Sequence, residues 1–499
     1  MASFNEKFRP ISETVPNIES AQILADAAIN DKTALGSNLV DWDGEDDPNK
    51  PTNWTSKKKW ANGGLLALMT LITPLASSMF APGVEDVMIE FKSTSQILAS
   101  FVVSIYVLGY CVGPLIVAPL SEIYGRVPVY HVSNVLFVVF TIACAVSSSL
   151  SMLTVFRFFA GVMGSTPLSI GGGSFGDMFK VEERGAAIAI WSMGPLLGPV
   201  IGPVAGGFLA QRAGWRWVFW VITIAAGIMT VLMFFCLRET YEIALLNQKA
   251  KRLRKETNNL DLRSARDLGL PPKQLLKQAA LRPMKLLIFS PIVLALSIYI
   301  AFVYGLLYLL FTTITSVFTE AYGFSQGLSG LAYLGIGIGM MVGLVLVGGS
   351  SDLLLKKLAA ANNGVIKPEY RLPPMIAAGL ILPIGLFLYG WTTQYQIQWM
   401  VPIIGTALVG VGLIGSFIPT STYLIDTFGI HSASAIAANT VLRSLFGALI
   451  PLAGPSMYEA LGLGWGNSLL GFISLAMIPI PVLFWKYGEK LRTSQSMKL

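Results

Sequence analysis

Charge is scarce in this sequence, and so are the residues that build most catalytic centres and metal sites. Only 13% of the 499 residues are charged, which is about half the share in an ordinary soluble domain. The 3 cysteines and 2 histidines argue against a disulfide framework, a zinc site and histidine-based metal chemistry. No Ser/His/Asp set and no glycine loop with a phosphate-binding lysine is found. We therefore expect no enzyme, no cofactor and no metal.

Hydrophobic residues are abundant instead, at 54% of the chain. They form blocks of about 20 residues, the length of a helix that crosses about 30 Å of hydrocarbon. Twelve blocks, called spans 1 to 12 below, predict an all-α membrane protein with two six-helix bundles in a lipid bilayer. Their predicted bounds are 60–80, 97–119, 128–148, 152–176, 184–210, 216–236, 286–316, 326–349, 373–391, 398–424, 433–457 and 466–486.

The distribution of lysine and arginine predicts which ends of the spans face the cytosol. These residues collect on the side that holds both termini and the basic cluster 249–255, so both termini are expected in the cytosol. We assign the net charge of +7 to such loops and to attraction by anionic lipid, with no nucleic-acid partner. The predicted segments are a cytosolic tail 1–59, a bundle 60–236, a cytosolic loop 237–285, a bundle 286–486 and a cytosolic tail 487–499.

The two halves repeat several short patterns in the same order along the chain. The sequence "GYCVGPLIVAPLSE" of span 2 aligns without a gap with "GMMVGLVLVGGSSD" of span 8. Ordered matches at equivalent spans indicate a duplication, and transporters built from two repeats bind their substrate between them, near the midplane. The matched segments are 109–122 with 339–352, 161–165 with 412–416, and 199–203 with 451–455.

The loop "APLSEIYGR" between spans 2 and 3 places an acid, a tight turn and a cation within five residues. Glu122, Gly125 and Arg126 are expected to tie two helix ends together on the cytosolic side and to release them when the halves move. An ordinary charged loop is the alternative, and the repeated acid Asp352 favours the gating role.

This loop resembles motif A of the major facilitator superfamily, which runs Gly-x-x-x-Asp-x-x-Gly-Arg. Glu122 stands in the place of the acid, and Ala118 replaces the first glycine. In that family the charges of the loop pair with an acid at the end of the fourth span. The resemblance implies that Asp177 is the partner of Arg126.

The stretch "GPLLGPVIGPVAGG" in span 5 places prolines inside a helix. In water each interior proline costs about 3 kcal/mol. Within a bundle, glycines spaced by four admit a close neighbour, which re-satisfies the freed carbonyls. The stretch is similar to motif C of antiporters in the same superfamily, which implies a bent seam that seals the halves against proton leakage; simple packing is the alternative. Its repeating residues are Gly194, Pro195, Gly198, Pro199, Gly202 and Pro203.

Two arginines lie inside spans, where a charge is expensive and usually faces a cavity or a partner. Arg157 in span 4 stands at the place of the family's motif B arginine, with snorkelling to the outer interface as the alternative. Arg443 in span 11 is deeper, and we expect it to contact substrate or act in gating.

Tyrosines are candidates to line an amphipathic cavity, with core or interfacial packing as the alternative. They are Tyr299, Tyr304 and Tyr308 in span 7 and Tyr423 in span 10.

Three further segments, "DWDGEDDPNKPTNW", "PEYRLPP" and "ASAIAANTVLRS", are similar to twelve-span fungal drug:proton antiporters. The resemblance implies a monomeric plasma-membrane transporter that exports a xenobiotic, toxin or secondary metabolite by alternating access, in exchange for protons. Mid-span carboxylates are nearly absent, so no proton carrier is assigned and a polycationic cargo is disfavoured. Export of polyamines or organic acids, proton-coupled import and a channel remain open.

Overall fold

The computed structural model describes residues 38–266, 272–363, 365, 367–428 and 432–494. These residues fall into two compact units. The larger one consists of residues 48–241 and 272–494 and contains all the hydrophobic helices. The smaller one consists of residues 38–47 and 242–266.

The hydrophobic blocks fold as long α-helices, because a helix pairs its own backbone N–H and C=O groups where no water is available. In the described chain, eleven helical stretches are long and apolar enough to cross a membrane. The last of these stretches, Ser432–Arg492, has 61 residues, or about 90 Å of helix. Gly462 interrupts it with a φ of +71°, so this stretch supplies two crossings. The twelve predicted spans agree with these helices.

Most helices extend a few residues beyond the predicted blocks. The first half contains Ser56–Ser78 and Val84–Glu90 (span 1), Gln96–Tyr124 (span 2), Arg126–Ala145 (span 3), Leu150–Gly164 and Thr166–Met178 (span 4), Val181–Ala213 (span 5) and Trp215–Cys236 (span 6). The second half contains Pro272–Phe289, Pro291–Tyr322 (span 7), Gln326–Ala332 and Leu334–Ala361 (span 8), Pro373–Gln394 (span 9), Met400–Phe428 (span 10), and Ser432–Met477 and Pro479–Ser494 (spans 11 and 12). Short 3₁₀ turns are Pro51–Asn53, Ala81–Gly83 and Pro368–Arg371.

Serine side chains fix where several spans begin. Ser149, Ser290 and Ser325 each accept a hydrogen bond from the backbone N–H three residues later, at the first turn of spans 4, 7 and 8. Such a cap satisfies a donor that the helix leaves unpaired. The cap at Ser290 explains why span 7 begins at Pro291 rather than at the predicted residue 286.

The sequence repeat corresponds to a repeat of helix contacts. A Cβ atom on Gly113 would lie 2.6 Å from the Val162 carbonyl oxygen of span 4, and one on the matched Gly343 would lie 3.1 Å from the Val411 carbonyl oxygen of span 10. In the same way Gly202 faces span 1, with a carbonyl oxygen at 2.9 Å, and Gly454 faces span 7, with a leucine side chain at 3.5 Å. The repeated glycines therefore occupy equivalent positions in the two halves.

The smaller unit joins the acidic stretch before span 1 to the central loop. The strands Leu39–Val40 and Arg263–Ser264 pair in parallel next to the helix Glu242–Thr257. The ammonium of Lys249, in the basic cluster, lies 2.6 Å from the Asp43 carboxylate. Part of the positive charge that we assigned to lipid attraction is thus offset inside this unit.

Candidate functional site

The turn between spans 2 and 3 directs an arginine towards span 4. Gly125 has a φ of +95° and a ψ of 168°, a combination that is essentially confined to glycine. Arg126 follows at once; its Nη1 donates to the Ser121 hydroxyl at 2.8 Å, and its Nε lies 3.4 Å from the Asp177 carboxylate. The structure thus brings together the arginine and the acid that the family resemblance paired.

A carboxylate that the sequence did not predict completes the cluster of Arg126 and Asp177. Glu239 follows span 6 and accepts hydrogen bonds from the backbone N–H groups of Arg126 and Val127, both at 3.0 Å. The negative charge of Glu239 lies next to the first turn of span 3, where it interacts favourably with the positive end of the helix dipole. The Tyr241 ring covers the Arg126 guanidinium at 4.7 Å, and burial raises the pKa of its hydroxyl to about 12, so the tyrosine stays neutral.

The other acids predicted for this loop are placed differently. The Glu122 side chain is exposed. It has no hydrogen-bond partner among the residues that the structure describes. The side chain of Asp352 lies outside the described residues. The second half nevertheless has an equivalent cluster, because Arg371 lies 3.2 Å from the Asp426 carboxylate and donates to the Ser351 hydroxyl at 3.4 Å.

Replacing Gly125 with alanine is expected to destabilise the cluster of Arg126, Asp177 and Glu239. A Cβ atom in this backbone region costs on the order of 1–3 kcal/mol, and the compensating backbone rotation would move Arg126 away from Asp177. The control is Gly227→Ala, since a Cβ at Gly227 in span 6 meets nothing within 4 Å. Thermal unfolding of the purified variants measures the difference, and equal melting temperatures for Gly125→Ala and the control would contradict this account.

The glycine row of span 5 packs against span 1, within the first half. The helix is continuous from Val181 to Ala213 with its three prolines inside. A Cβ on Gly194 would lie 2.9 Å from the Thr70 carbonyl carbon, and one on Gly198 would lie 2.8 Å from the Leu75 nitrogen. The glycine row therefore allows the backbone of span 1 to pack directly against span 5.

A different part of span 5 meets the second half. A Cβ on Gly207 would lie 2.6 Å from the Gln326 carbonyl oxygen, and one on Gly330 would lie 2.7 Å from the Pro203 carbonyl oxygen. The close contact of span 5 with the second half is thus made at Val200, Pro203 and Gly207, whereas Gly194 and Gly198 pack within the first half. The sealing role of this stretch stays a prediction.

Arg157 lies inside the first half and is fully buried, with 1% of its surface exposed. Its Nε donates to the Val102 carbonyl at 2.6 Å, and its Nη2 donates to the carbonyls of Ser77 and Val103 at 3.1 and 3.2 Å. The guanidinium also lies 4.8 Å from the Phe80 ring centroid. The side chain does not snorkel to the interface; its partners are backbone carbonyls of spans 1 and 2.

Arg443 has a different environment in the second half. Its guanidinium carbon lies 4.8 Å from the Tyr304 ring centroid and 5.0 Å from that of Phe417. Its Nε is buried and has no hydrogen-bond partner in the described chain. Arg443 is therefore held by aromatic faces and leaves hydrogen-bond donors unused.

Tyrosines join the two arginines across the halves. The Tyr304 and Tyr308 rings lie 5.1 Å apart in span 7, and the Tyr308 hydroxyl lies 3.0 Å from the Ser77 hydroxyl of span 1. From span 2, Tyr106 lies 5.5 Å from the Arg157 guanidinium and packs against Tyr110. We call Tyr106, Tyr110, Arg157, Tyr304, Tyr308 and Arg443 the central cluster.

The remaining two tyrosine candidates lie elsewhere. The Tyr299 hydroxyl lies 3.4 Å from the Ser416 hydroxyl inside the second half. Tyr423 is fully buried near the C-terminal end of span 10, where a Cβ on Gly488 would lie 3.2 Å from its hydroxyl. Both pack in the core of the second half, which was the alternative interpretation for tyrosines in these spans.

Comparison with known proteins identifies the family. The model of the Major Facilitator Superfamily matches residues 66–451. The chain is 58% identical to the MFS-type transporter penM of Penicillium rubens, over 93% of this chain and 91% of that protein. It is 51% identical to the efflux pump radE of Floropilus chiversii, over 97% of this chain and 90% of that protein. The xylose transporter XylE from E. coli, solved in a partially occluded inward-open conformation, has the same fold, with a TM-score of 0.65 and 16% identity over 87% of this chain and 98% of XylE.

Proposed function

Since this chain belongs to the major facilitator superfamily, we propose that it exports small amphiphilic organic compounds by alternating access, in exchange for protons. It is a multi-pass membrane transporter and not an enzyme. In this proposal the protein is a monomer in the plasma membrane. The tails 1–59 and 487–499 and the loop 237–285 lie in the cytosol. The bundles 60–236 and 286–486 lie on either side of the transport path.

The observation that carries the proposal is the central cluster between the halves. Its tyrosines offer apolar faces together with hydroxyl groups, which suits an amphiphilic organic molecule. Its charges are the guanidinium groups of Arg157 and Arg443. Because a polycation would need carboxylates to offset its desolvation, this cluster favours other organic cargo over polyamines.

Contacts at the outer ends of the spans support a state that is closed to the outside. The Gln326 amide of span 8 donates to the Asp86 carboxylate of span 1 at 2.9 Å. The Gly327 N–H donates to the Gln211 side chain of span 5 at 3.1 Å. Both bonds join the first half to the second. In such a state cargo reaches the central cluster from the cytosol or the inner leaflet.

Export, rather than import, is supported by two further observations. The relative radE is named an efflux pump, and the proline–glycine helix of span 5 is similar to the motif C of antiporters. Proton exchange rests on that same similarity. In the described spans no carboxylate belongs to the central cluster, so the proton carrier stays unassigned.

Efflux from yeast that lacks its own exporters tests the proposal. Cells with and without the protein are loaded with azoles, planar aromatic acids, their neutral esters or labelled spermidine, and release is followed before and after a protonophore collapses the proton gradient. Release of organic compounds that stops with the gradient is the expected result. Accumulation would indicate an importer, and release of spermidine alone would contradict the cargo class.

Locking the outer contacts is expected to stop transport. Cysteines at Asp86 and Gln326, introduced after alanine replaces Cys111, Cys144 and Cys236, are joined by a short bifunctional thiol reagent that a reductant cleaves. If the outer ends must separate in each cycle, the cross-linked protein loses transport at least tenfold and regains it on reduction.

A cross-link within one half is the matched control. Arg216 and Glu90 form an ion pair of 2.7 Å on the same outer side, and both belong to the first half. Joining cysteines at these positions should leave transport unchanged. Full transport by the protein cross-linked between Asp86 and Gln326 would exclude separation of the halves at these contacts.

A further inference from the structure

The two arginines of the central cluster differ in what their guanidinium groups can still bind. Arg157 is fully buried and already donates three hydrogen bonds to backbone carbonyls. Arg443 is partly exposed, its buried Nε has no acceptor, and no ion pair of Arg443 is found in the part of the chain that the structure describes. A buried donor without an acceptor is costly, so Arg443 is the one prepared for an external oxygen ligand.

The surroundings of Arg443 hold the guanidinium in place without using its N–H groups. The faces of Tyr304 and Phe417, on spans 7 and 10, lie 4.8 and 5.0 Å from its central carbon. Aromatic faces attract the cation but accept no strong hydrogen bond, and the donors of a guanidinium lie in its plane. The geometry therefore leaves a planar pair of donors for a ligand with two adjacent oxygens.

A glycine on the same helix allows an aromatic ring to lie close beside this arginine. Gly447 lies four residues after Arg443, so both are on one face of span 11. A Cβ atom on Gly447 would lie only 2.9 Å from the Tyr304 ring, so the glycine lets this ring lie against the helix, next to the arginine. The buried Tyr308 ring supports it from behind, with its centroid 5.1 Å from that of Tyr304.

We infer that the cargo carries a carboxylate, which docks on Arg443 while its apolar skeleton packs on the partly exposed rings of Tyr304 and Phe417. This inference rests on the proposed export function and narrows its cargo to organic acids with an aromatic or apolar body. The arginine needs a counter-charge in a medium of low dielectric constant, and the cargo supplies it. Charge-assisted bidentate hydrogen bonds then favour the acid over a neutral analogue by about 10- to 100-fold.

Binding of an acid and its neutral ester to the purified full-length protein tests the inference. The probes are anthracene-9-carboxylate and its methyl ester, which share one fluorescent skeleton, and fluorescence anisotropy at pH 7 gives both dissociation constants. We expect the wild type to bind the acid at least tenfold more tightly than the ester. In Arg443→Gln this ratio should fall to about one, because the amide keeps the side chain polar but removes the charge.

Two further variants separate docking from folding. Arg443→Lys keeps the charge and loses the planar fork, so it should retain a reduced preference for the acid. Arg216→Gln, at a surface ion pair, should keep the wild-type ratio. If Arg443→Gln does not fold, as judged by its melting temperature, the ratio for Arg443→Lys decides: an unchanged ratio overturns the inference.

The outcomes distinguish this inference from the proposed function. Equal binding of acid and ester by the wild type, binding of neither, or a preference for the acid that survives in Arg443→Gln overturns the inference. If the yeast cells at the same time release azoles or esters in a gradient-dependent way, the export function stands without the anionic cargo. If they release nothing, the export function fails with it.

Discussion

Replacement of Arg157 by alanine is expected to abolish transport and to lower the free energy of unfolding by about 3 to 5 kcal/mol, the range for breaking a buried charged network. The substitution removes three hydrogen bonds to carbonyls of spans 1 and 2. It also leaves a cavity beneath the rings of Phe80 and Phe219, which contact the guanidinium at 4.8 and 5.8 Å. Spans 1, 2, 4 and 6 would thus lose a common point of attachment.

Conservative variants test whether the shape or the charge of Arg157 matters. Lysine keeps the charge, but its three donors share one nitrogen and lack the spread of the Nε and Nη2 donors that reach the two helices. Arg157→Lys is therefore expected to remain inactive and unstable. Arg216→Ala is the control, since its side chain is 37% exposed and pairs with Glu90, and exposed pairs contribute less than about 1 kcal/mol. Thermal unfolding in detergent and efflux from yeast measure both effects. An Arg157→Lys protein with normal stability and transport would show that charge alone suffices.

The sequence was sufficient to predict the helices and the pairing of Arg126 with Asp177 at the C-terminal end of span 2. Long apolar blocks have one structural solution in a membrane, and Arg126 and Asp177 were matched through the family motif. Glu239 was missed, because it binds backbone N–H groups of Arg126 and Val127, and backbone groups leave no trace in the side-chain pattern. The lack of an acidic residue in the first turn of span 3 was the available signal.

Which side of a hydrophobic helix faces the centre was harder to predict. Tyr304 and Tyr308 reach the central cluster, whereas Tyr299 on the same span packs into the second half. Periodicity places residues on a common face, but does not say what that face meets. Tyr106 and Tyr110 were overlooked, although they repeat in span 2 the four-residue spacing of Tyr304 and Tyr308. A search for paired aromatics at that spacing would have found them.

Replacement of Gly198 by leucine is expected to prevent folding or transport altogether. A Cβ atom there would lie 2.8 Å from the Leu75 nitrogen and 2.9 Å from the Leu71 carbonyl oxygen. Backbone atoms inside a helix cannot move aside as a flexible side chain does, so spans 1 and 5 must separate. Overpacking by a few methylene groups already costs about 1–3 kcal/mol, and a whole leucine side chain adds to that. The matched control is Gly227→Leu in span 6, where a Cβ meets nothing within 4 Å.

The smaller change Gly198→Ala separates packing from sealing. If the glycine row only packs span 5 on span 1, this variant loses stability by about 1–3 kcal/mol and stays tight to protons. If the row also seals the path, reconstituted Gly198→Ala vesicles lose an imposed proton gradient faster than wild-type vesicles when no cargo is present. A pH-sensitive dye inside the vesicles measures the rate, with Gly227→Ala as the control. The contacts of Pro203 and Gly207 with span 8 are unaltered in both variants, so faster leakage in Gly198→Ala alone would assign the seal to the contact between spans 1 and 5.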